Sequence, residues 1–184
     1  MLYIAARECT DGGHDAAWQL LYSMLAAFGI SDLSLISHHE NGKPYLKGDP
    51  LYFSLSHTKG AVCCAVCAEE EVTFSLRDGT LLFCERTPKL PVGVDLEKHI
   101  PRDFSKIARG FFTPDECEFF ASCEDKCAAF YHIYTRKESL SKASGRGIAE
   151  LRQQPSSLIR DDIYTYNIEL GGNRFSLSAA LLNK

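Results

Sequence analysis

Asp95 and Glu97, in the run Gly93-Val94-Asp95-Leu96-Glu97, are two carboxylates separated by one residue within an apolar stretch. Successive side chains on an extended strand point to opposite faces, so the two acids share one face and Val94 and Leu96 share the other. Like charges about 7 Å apart repel by roughly 2–3 kcal/mol at an effective dielectric of 20. Protonating one acid relieves that cost, and so does a cation placed between them. The second arrangement is a hard-metal site of the oxygen-rich kind that suits Mg²⁺. Seen alone, the pair also reads as a strand end facing solvent.

Three further clusters carry chemistry. Lys137-Glu138-Ser139 precedes Lys142, and the spacing of four puts Glu138 and Lys142 on one helix face, with Tyr131 between them on the wheel. Ile133 and Leu140 occupy a different, core-facing stripe. By itself this is an ordinary i,i+4 ion pair worth about 0.2–0.5 kcal/mol. In Phe53-Ser54-Leu55-Ser56-His57-Thr58 a polar Ser-His pair ends an apolar strand, and His57 also reads as a structural histidine. Asn41-Gly42-Lys43-Pro44-Tyr45-Leu46 places a lysine on a tight turn, where it also reads as a solvated side chain.

These residues must be positioned by short alternating strands and helices. Strands are predicted over 2–8, 33–37, 52–55, 61–68 and 92–97. Residues 15–28 predict an amphipathic helix with Trp18, Leu21, Leu25 and Phe28 in register, stopped by Gly29. Val72–Leu76 and Leu81–Cys84 flank Asp78-Gly79 and predict a hairpin. A helix is expected over 103–111. Thr113-Pro114-Asp115-Glu116 has the form of a capped helix start. A longer helix spans about 128–144 and ends at Gly145. Ile163–Leu170 and Arg174–Leu181 predict a terminal antiparallel pair joined at Gly171-Gly172.

The chain has 184 residues and is 45% hydrophobic, enough for one large domain or two small lobes sharing a core. Its net charge of −4 argues against nucleic acid or an anionic membrane as the main partner. No apolar run approaches a membrane span. The start, Met1-Leu2-Tyr3-Ile4-Ala5-Ala6-Arg7, reads as a first strand and not as a secretory leader, so the cytoplasm is the expected compartment. In that compartment the 8 cysteines are expected as free thiols. Cys64-Ala65-Val66-Cys67 is formally a C-x-x-C, but on a regular strand its thiols face opposite sides and read as buried small hydrophobes.

Taken together, the clusters resemble the 4′-phosphopantetheinyl transferases, specifically the monomeric two-lobed type that serves peptide and polyketide synthases. The resemblance rests on Gly42-Lys43-Pro44, Leu55-Ser56-His57, Gly93-Val94-Asp95-Leu96-Glu97 and Tyr134-Thr135-Arg136-Lys137-Glu138-Ser139-Leu140-Ser141-Lys142. Phe111-Phe112-Thr113-Pro114-Asp115-Glu116 and Gly145-Arg146-Gly147 support it, and the run extends from 42 to about 148 in family order. Tyr134 stands where the family has tryptophan.

The resemblance implies an α+β fold of two similar lobes related by a pseudo-twofold, each an antiparallel sheet packed with a helix. The lobes would be 1–91, with a hairpin inserted at about 69–91, and 92–184. The implied reaction is Mg²⁺-dependent (Mn²⁺ as an alternative) transfer of the phosphopantetheine arm of coenzyme A to a serine of an apo acyl or peptidyl carrier protein, releasing 3′,5′-ADP. Asp95, Glu97 and Glu138 are the implied metal ligands, and Asp95, Glu138 and Lys142 the catalytic group. Glu138 is the implied base, with Glu116 as a second candidate. Lys43, Ser56, His57 and Lys142 are implied to hold coenzyme A, and Arg7 is the N-terminal candidate for its 3′-phosphate. Two other functions compete with transfer: a module that binds coenzyme A or a nucleotide, and a metal-dependent phosphohydrolase. No nucleic-acid or membrane partner is expected, and the two lobes predict a monomer.

Overall fold

A computed structural model describes residues 1–10, 13–147 and 154–183, so the far end of the motif run, at 148, lies outside it. The fold is α+β, with antiparallel sheets packed against helices. Strands β1 (Leu2–Glu8), β4 (Tyr52–Thr58), β5 (Ala61–Cys67) and β6 (Leu81–Glu85) form a sheet in the order β4-β5-β1-β6. Strands β7 (Val92–Lys98), β8 (Ile163–Leu170) and β9 (Asn173–Leu181) form a second, in the order β7-β9-β8. A small ribbon pairs β2 (Ile36–His38) with β3 (Pro44–Leu46).

The period-2 pattern decides which face each strand buries. Leu2, Ile4, Cys63, Cys67, Val92, Val94, Leu96, Leu177 and Ala179 form one core between the two sheets. The opposite face of the first sheet, including Tyr3, Val62 and Cys64, packs on helix α1 (Gly13–Ala27) through Leu20, Leu21, Met24 and Leu25. Cys63 and Cys64 thus lie in different cores, as strand alternation requires, and all 8 cysteines are free thiols.

Helix α4 (Lys126–Ser144) covers the outer face of the second sheet, where Gly93, Asp95 and Glu97 lie opposite Ala180, Ser178 and Ser176. Asp125 caps its start and Gly145, at φ 71°, its end. Before it come α2 (Phe104–Phe111) and α3 (Pro114–Ser122), the latter with the capping box expected from Thr113 and Glu116. Among the described residues no helix is long and apolar enough to cross a membrane.

Two expectations need correction. The hairpin over 72–84 forms only in its second arm. The Asp78-Gly79 turn is present, with Thr80 N–H donating to the Arg77 carbonyl, and β6 extends the sheet edge beside β1. Val72–Leu76 makes no strand. Its alternating Val72, Phe74 and Leu76 pack on the α1 core, and Val72 N–H donates to the Tyr3 hydroxyl at 2.9 Å. The period of two there reflects side-chain burial without a partner strand. The strand expected at 33–37 is instead a 3₁₀ turn, Leu33–Leu35, capped by Asp32, and β2 follows it.

Candidate active site

The site forms where two sheet edges meet. β4 and β7 are both edge strands, and an edge strand leaves a row of N–H groups unpaired. Serine hydroxyls meet that need: Val94 N–H donates to Ser54 Oγ at 3.1 Å, and Leu96 N–H to Ser56 Oγ at 3.4 Å. Between those two amides, Asp95 points to the α4 side. Its Oδ1 accepts from Ser56 Oγ at 3.0 Å and from Lys142 Nζ at 2.8 Å, and Lys142 also donates to Ser56 Oγ at 2.8 Å. Three residues from three elements therefore form a closed triangle of contacts.

Gly93 makes this approach possible. A Cβ there would lie 2.1 Å from the Ser139 carbonyl oxygen and 2.2 Å from the Ala143 nitrogen, so α4 lies directly on the β7 backbone. The helix runs antiparallel to the strand. Lys142 sits over Asp95, while Tyr131 lies at the far end with its hydroxyl on Ile100 and its ring stacked on His99. Ile133 and Leu140 are buried in apolar clusters, as their stripe predicts.

The electrostatics follow from burial. Burial first, then the Asp95 charge, pushes the Glu97 carboxyl up to about 7. The same two causes, in the same order, raise Glu138. Burial acts to lower the Lys142 ammonium, but the facing Asp95 outweighs it and holds the ammonium above its ordinary value. The Tyr134 hydroxyl is raised by burial and then by Glu138, against which it is held.

Among the described residues no group of three or more His, Cys, Asp or Glu side chains stands in a metal-holding arrangement. Lys142 supplies the countercharge to Asp95 instead. Even so, Asp95 Oδ2 is buried without a hydrogen-bond partner among the described residues, and the neighbouring acids repel one another. A buried, unused carboxylate oxygen among mutually repelling acids fits a hard divalent cation.

The other expected site residues separate. Glu138 and Lys142 line a cavity of about 350 Å³ together with Lys43, Phe53 and Ser141. Lys43 also lines an adjoining cavity of about 710 Å³, walled by Pro44, Tyr45, Tyr52 and Phe53. Its Nζ donates to the Ala143 carbonyl at 2.7 Å and to that of Val92 at 3.4 Å, and burial lowers it to about 8. Asn41 donates to the Gly145 carbonyl, so the 41–43 turn caps the end of α4. Ser56 and His57 do not act as a pair. Both belong to β4, which runs three residues further than expected, so they face opposite ways. Ser56 turns to Asp95; His57 turns to the first turn of α1, beside Gly13 and His14. Arg7 shares the His57 face and donates to the Ala16 carbonyl at 3.2 Å.

Glu116 is not placed to act as a base. It is 0% exposed and paired with Lys137 at 3.1 Å, Lys137 being itself 1% exposed. Ser157 donates to Glu116 through both its backbone N–H and its hydroxyl, and Thr113 N–H donates as well. Sequence reasoning missed this network because its partners are far apart along the chain. The capping-box motif was its only local trace.

The family model of the 4′-phosphopantetheinyl transferase superfamily matches residues 91–179. A 4′-phosphopantetheinyl transferase of Bacillus subtilis is 29% identical over 140 residues, 74% of this chain and 53% of that protein. The 4′-phosphopantetheinyl transferase HetI of a Nostoc species is 32% identical over 124 residues, 63% of this chain and 44% of that protein. The 4′-phosphopantetheinyl transferase AcpT of Salmonella typhimurium is 29% identical over 155 residues, 82% of this chain and 70% of that protein. The chain thus spans about half the length of the Bacillus and Nostoc relatives. Its resemblance to the superfamily, read from the motifs, stands on both kinds of match.

Proposed function

We propose that this chain is a 4′-phosphopantetheinyl transferase, moving the phosphopantetheine arm of coenzyme A to a serine of an apo acyl or peptidyl carrier protein. The observation that carries the reading is the triangle of Ser56, Asp95 and Lys142, formed beside a cavity that also holds Glu138. Mere binding of a phosphorylated ligand has no use for two buried acids and a half-buried third beside it. A displacement at phosphorus does, provided a cation is present. When bound, Mg²⁺ or Mn²⁺ held by Asp95, Glu97 and Glu138 would offset pyrophosphate charge and orient the phosphates.

The chain's own groups do the rest. Lys142 stabilises negative charge as it builds on the pyrophosphate oxygens. Glu138 accepts the proton of the carrier serine, directly or through water. The serine oxygen bonds to the phosphorus that bears pantetheine, the bond from that phosphorus to the ADP portion breaks, and 3′,5′-ADP leaves. Lys43, between the two cavities, meets the ADP end, and the aromatic and proline walls of the larger cavity suit a planar base. The assignment of His57 and Ser56 to coenzyme A rests on the family pattern alone. Residues 1–91 and 92–184 act as two pseudo-twofold lobes within one cytoplasmic monomer.

The test is incubation with coenzyme A, Mg²⁺ and an apo carrier protein, read by mass spectrometry of the carrier. Addition of one phosphopantetheine supports transfer. An unmodified carrier with intact coenzyme A points to a binding module, and an unmodified carrier with hydrolysed coenzyme A points to a phosphohydrolase.

A further inference from the structure

Ser56 is 6% exposed, and its hydroxyl is fully committed. A serine hydroxyl has one hydrogen to give and two lone pairs to accept with. The hydrogen goes to Asp95 Oδ1; the lone pairs take Lys142 Nζ–H and Leu96 N–H. Nothing is left for a ligand. On the acid's side, Oδ1 is held by two donors while the buried Oδ2 has no partner among the described residues. Rotation of the carboxylate would break two bonds at once.

We infer that Ser56 is a positioning residue and not a coenzyme A contact: its hydroxyl fixes the orientation of the Asp95 carboxylate and so prepares Oδ2 to take a divalent cation. The inference rests on reading the acid cluster as cation-holding. Groups that orient a metal-ligating carboxylate from behind typically account for about 10- to 100-fold in metal affinity. Ser54 provides an internal control. It stitches the same seam, accepting from Val94 N–H, and among the described residues it is Ser56, not Ser54, that bonds Asp95.

The experiment titrates the full chain with Mn²⁺ alone, following free Mn²⁺ by electron paramagnetic resonance, and separately measures coenzyme A binding in chelator. Ser56→Ala should weaken Mn²⁺ about ten-fold or more and leave metal-free coenzyme A affinity within about two-fold. Ser54→Ala should leave Mn²⁺ affinity within about two-fold. Should Ser56→Ala fail to fold, Ser56→Cys, which keeps the volume but bonds weakly, is read in the same way. Unchanged Mn²⁺ affinity at position 56 overturns the inference. So does an equal loss of metal-free coenzyme A binding, which would make Ser56 a ligand contact. So does a Ser54→Ala that weakens Mn²⁺ as much, since that would mean general loosening of the seam. A wild-type chain that binds no Mn²⁺ removes this inference together with the cation from the proposed function. A wild-type chain that binds Mn²⁺ and modifies the carrier, while Ser56→Ala binds Mn²⁺ equally well, removes this inference alone.

Discussion

At the scale of single residues, the site is a set of charges that make sense only together. Asp95 is 5% exposed, and among the described residues its ion-pair partner is Lys142 at 2.8 Å. Replacing Lys142 with alanine leaves Asp95 facing Glu97 and Glu138 without a countercharge. In the transfer assay, Lys142→Ala should lower kcat by about 10²-fold, with a smaller change in KM, because its charge is needed most as negative charge builds. Loss confined to KM would make it a binding residue only. Asp95→Ala should remove activity while shifting the melting temperature little, since one source of acid repulsion goes as the lysine pair is lost. A collapse of the melting temperature would assign Asp95 a structural role.

At the scale of elements, the instructive case is α4. From Thr135 to Ser141 every residue is buried, although most are polar or charged. An amphipathic stripe cannot account for this; partners do. Arg136 donates to the carbonyls of Ser157, Arg160 and Ile163, Lys137 pairs with Glu116, Thr135 bonds Ser178, and Lys142 bonds Asp95. Two predictions belong here. Gly93→Ala drives a methyl into backbone atoms of α4, so it should cost about 1–3 kcal/mol in chemical denaturation and lower transfer activity by shifting α4 off β7. Glu116→Ala leaves the Lys137 ammonium buried without its partner, and removing one member of such a pair should cost about 3–5 kcal/mol. A milder loss in either measurement would mean that α4 relaxes more easily than its packing indicates.

At the scale of the whole molecule, two sheets share one core and two helices close the outer faces, so stability is distributed across the chain. A pH dependence away from the acid cluster tests that distribution. His132 on α4 is held below its ordinary 6.5, by burial first and by Arg136 second. As pH falls, the unfolded chain takes up this proton before the folded one does. The stability contributed by neutral His132 is therefore whole above 6.5 and is lost as pH falls through the folded value. Denaturation measured from pH 7.5 down to 5 should show a decline that His132→Gln flattens; identical slopes would exclude His132 as its source.

Much of this protein is legible in its residues. Periodicity placed the strands at 2–8 and 92–97, and capping chemistry placed the start of α3, because those signals are local. The shared face of Asp95 and Glu97, and of Glu138 and Lys142, follows from helix and strand geometry alone. Tertiary structure decided what each of those groups touches. It gave Ser56 to Asp95 and His57 to the start of α1, turned Lys43 onto the end of α4, and drew Glu116 into a buried ion pair 21 positions along the chain from Lys137. It also left Val72–Leu76 without a partner strand. The physical reason is common to all four: spacing dictates the direction of a side chain, whereas its partner depends on how separate elements pack, and only the closed core determines that.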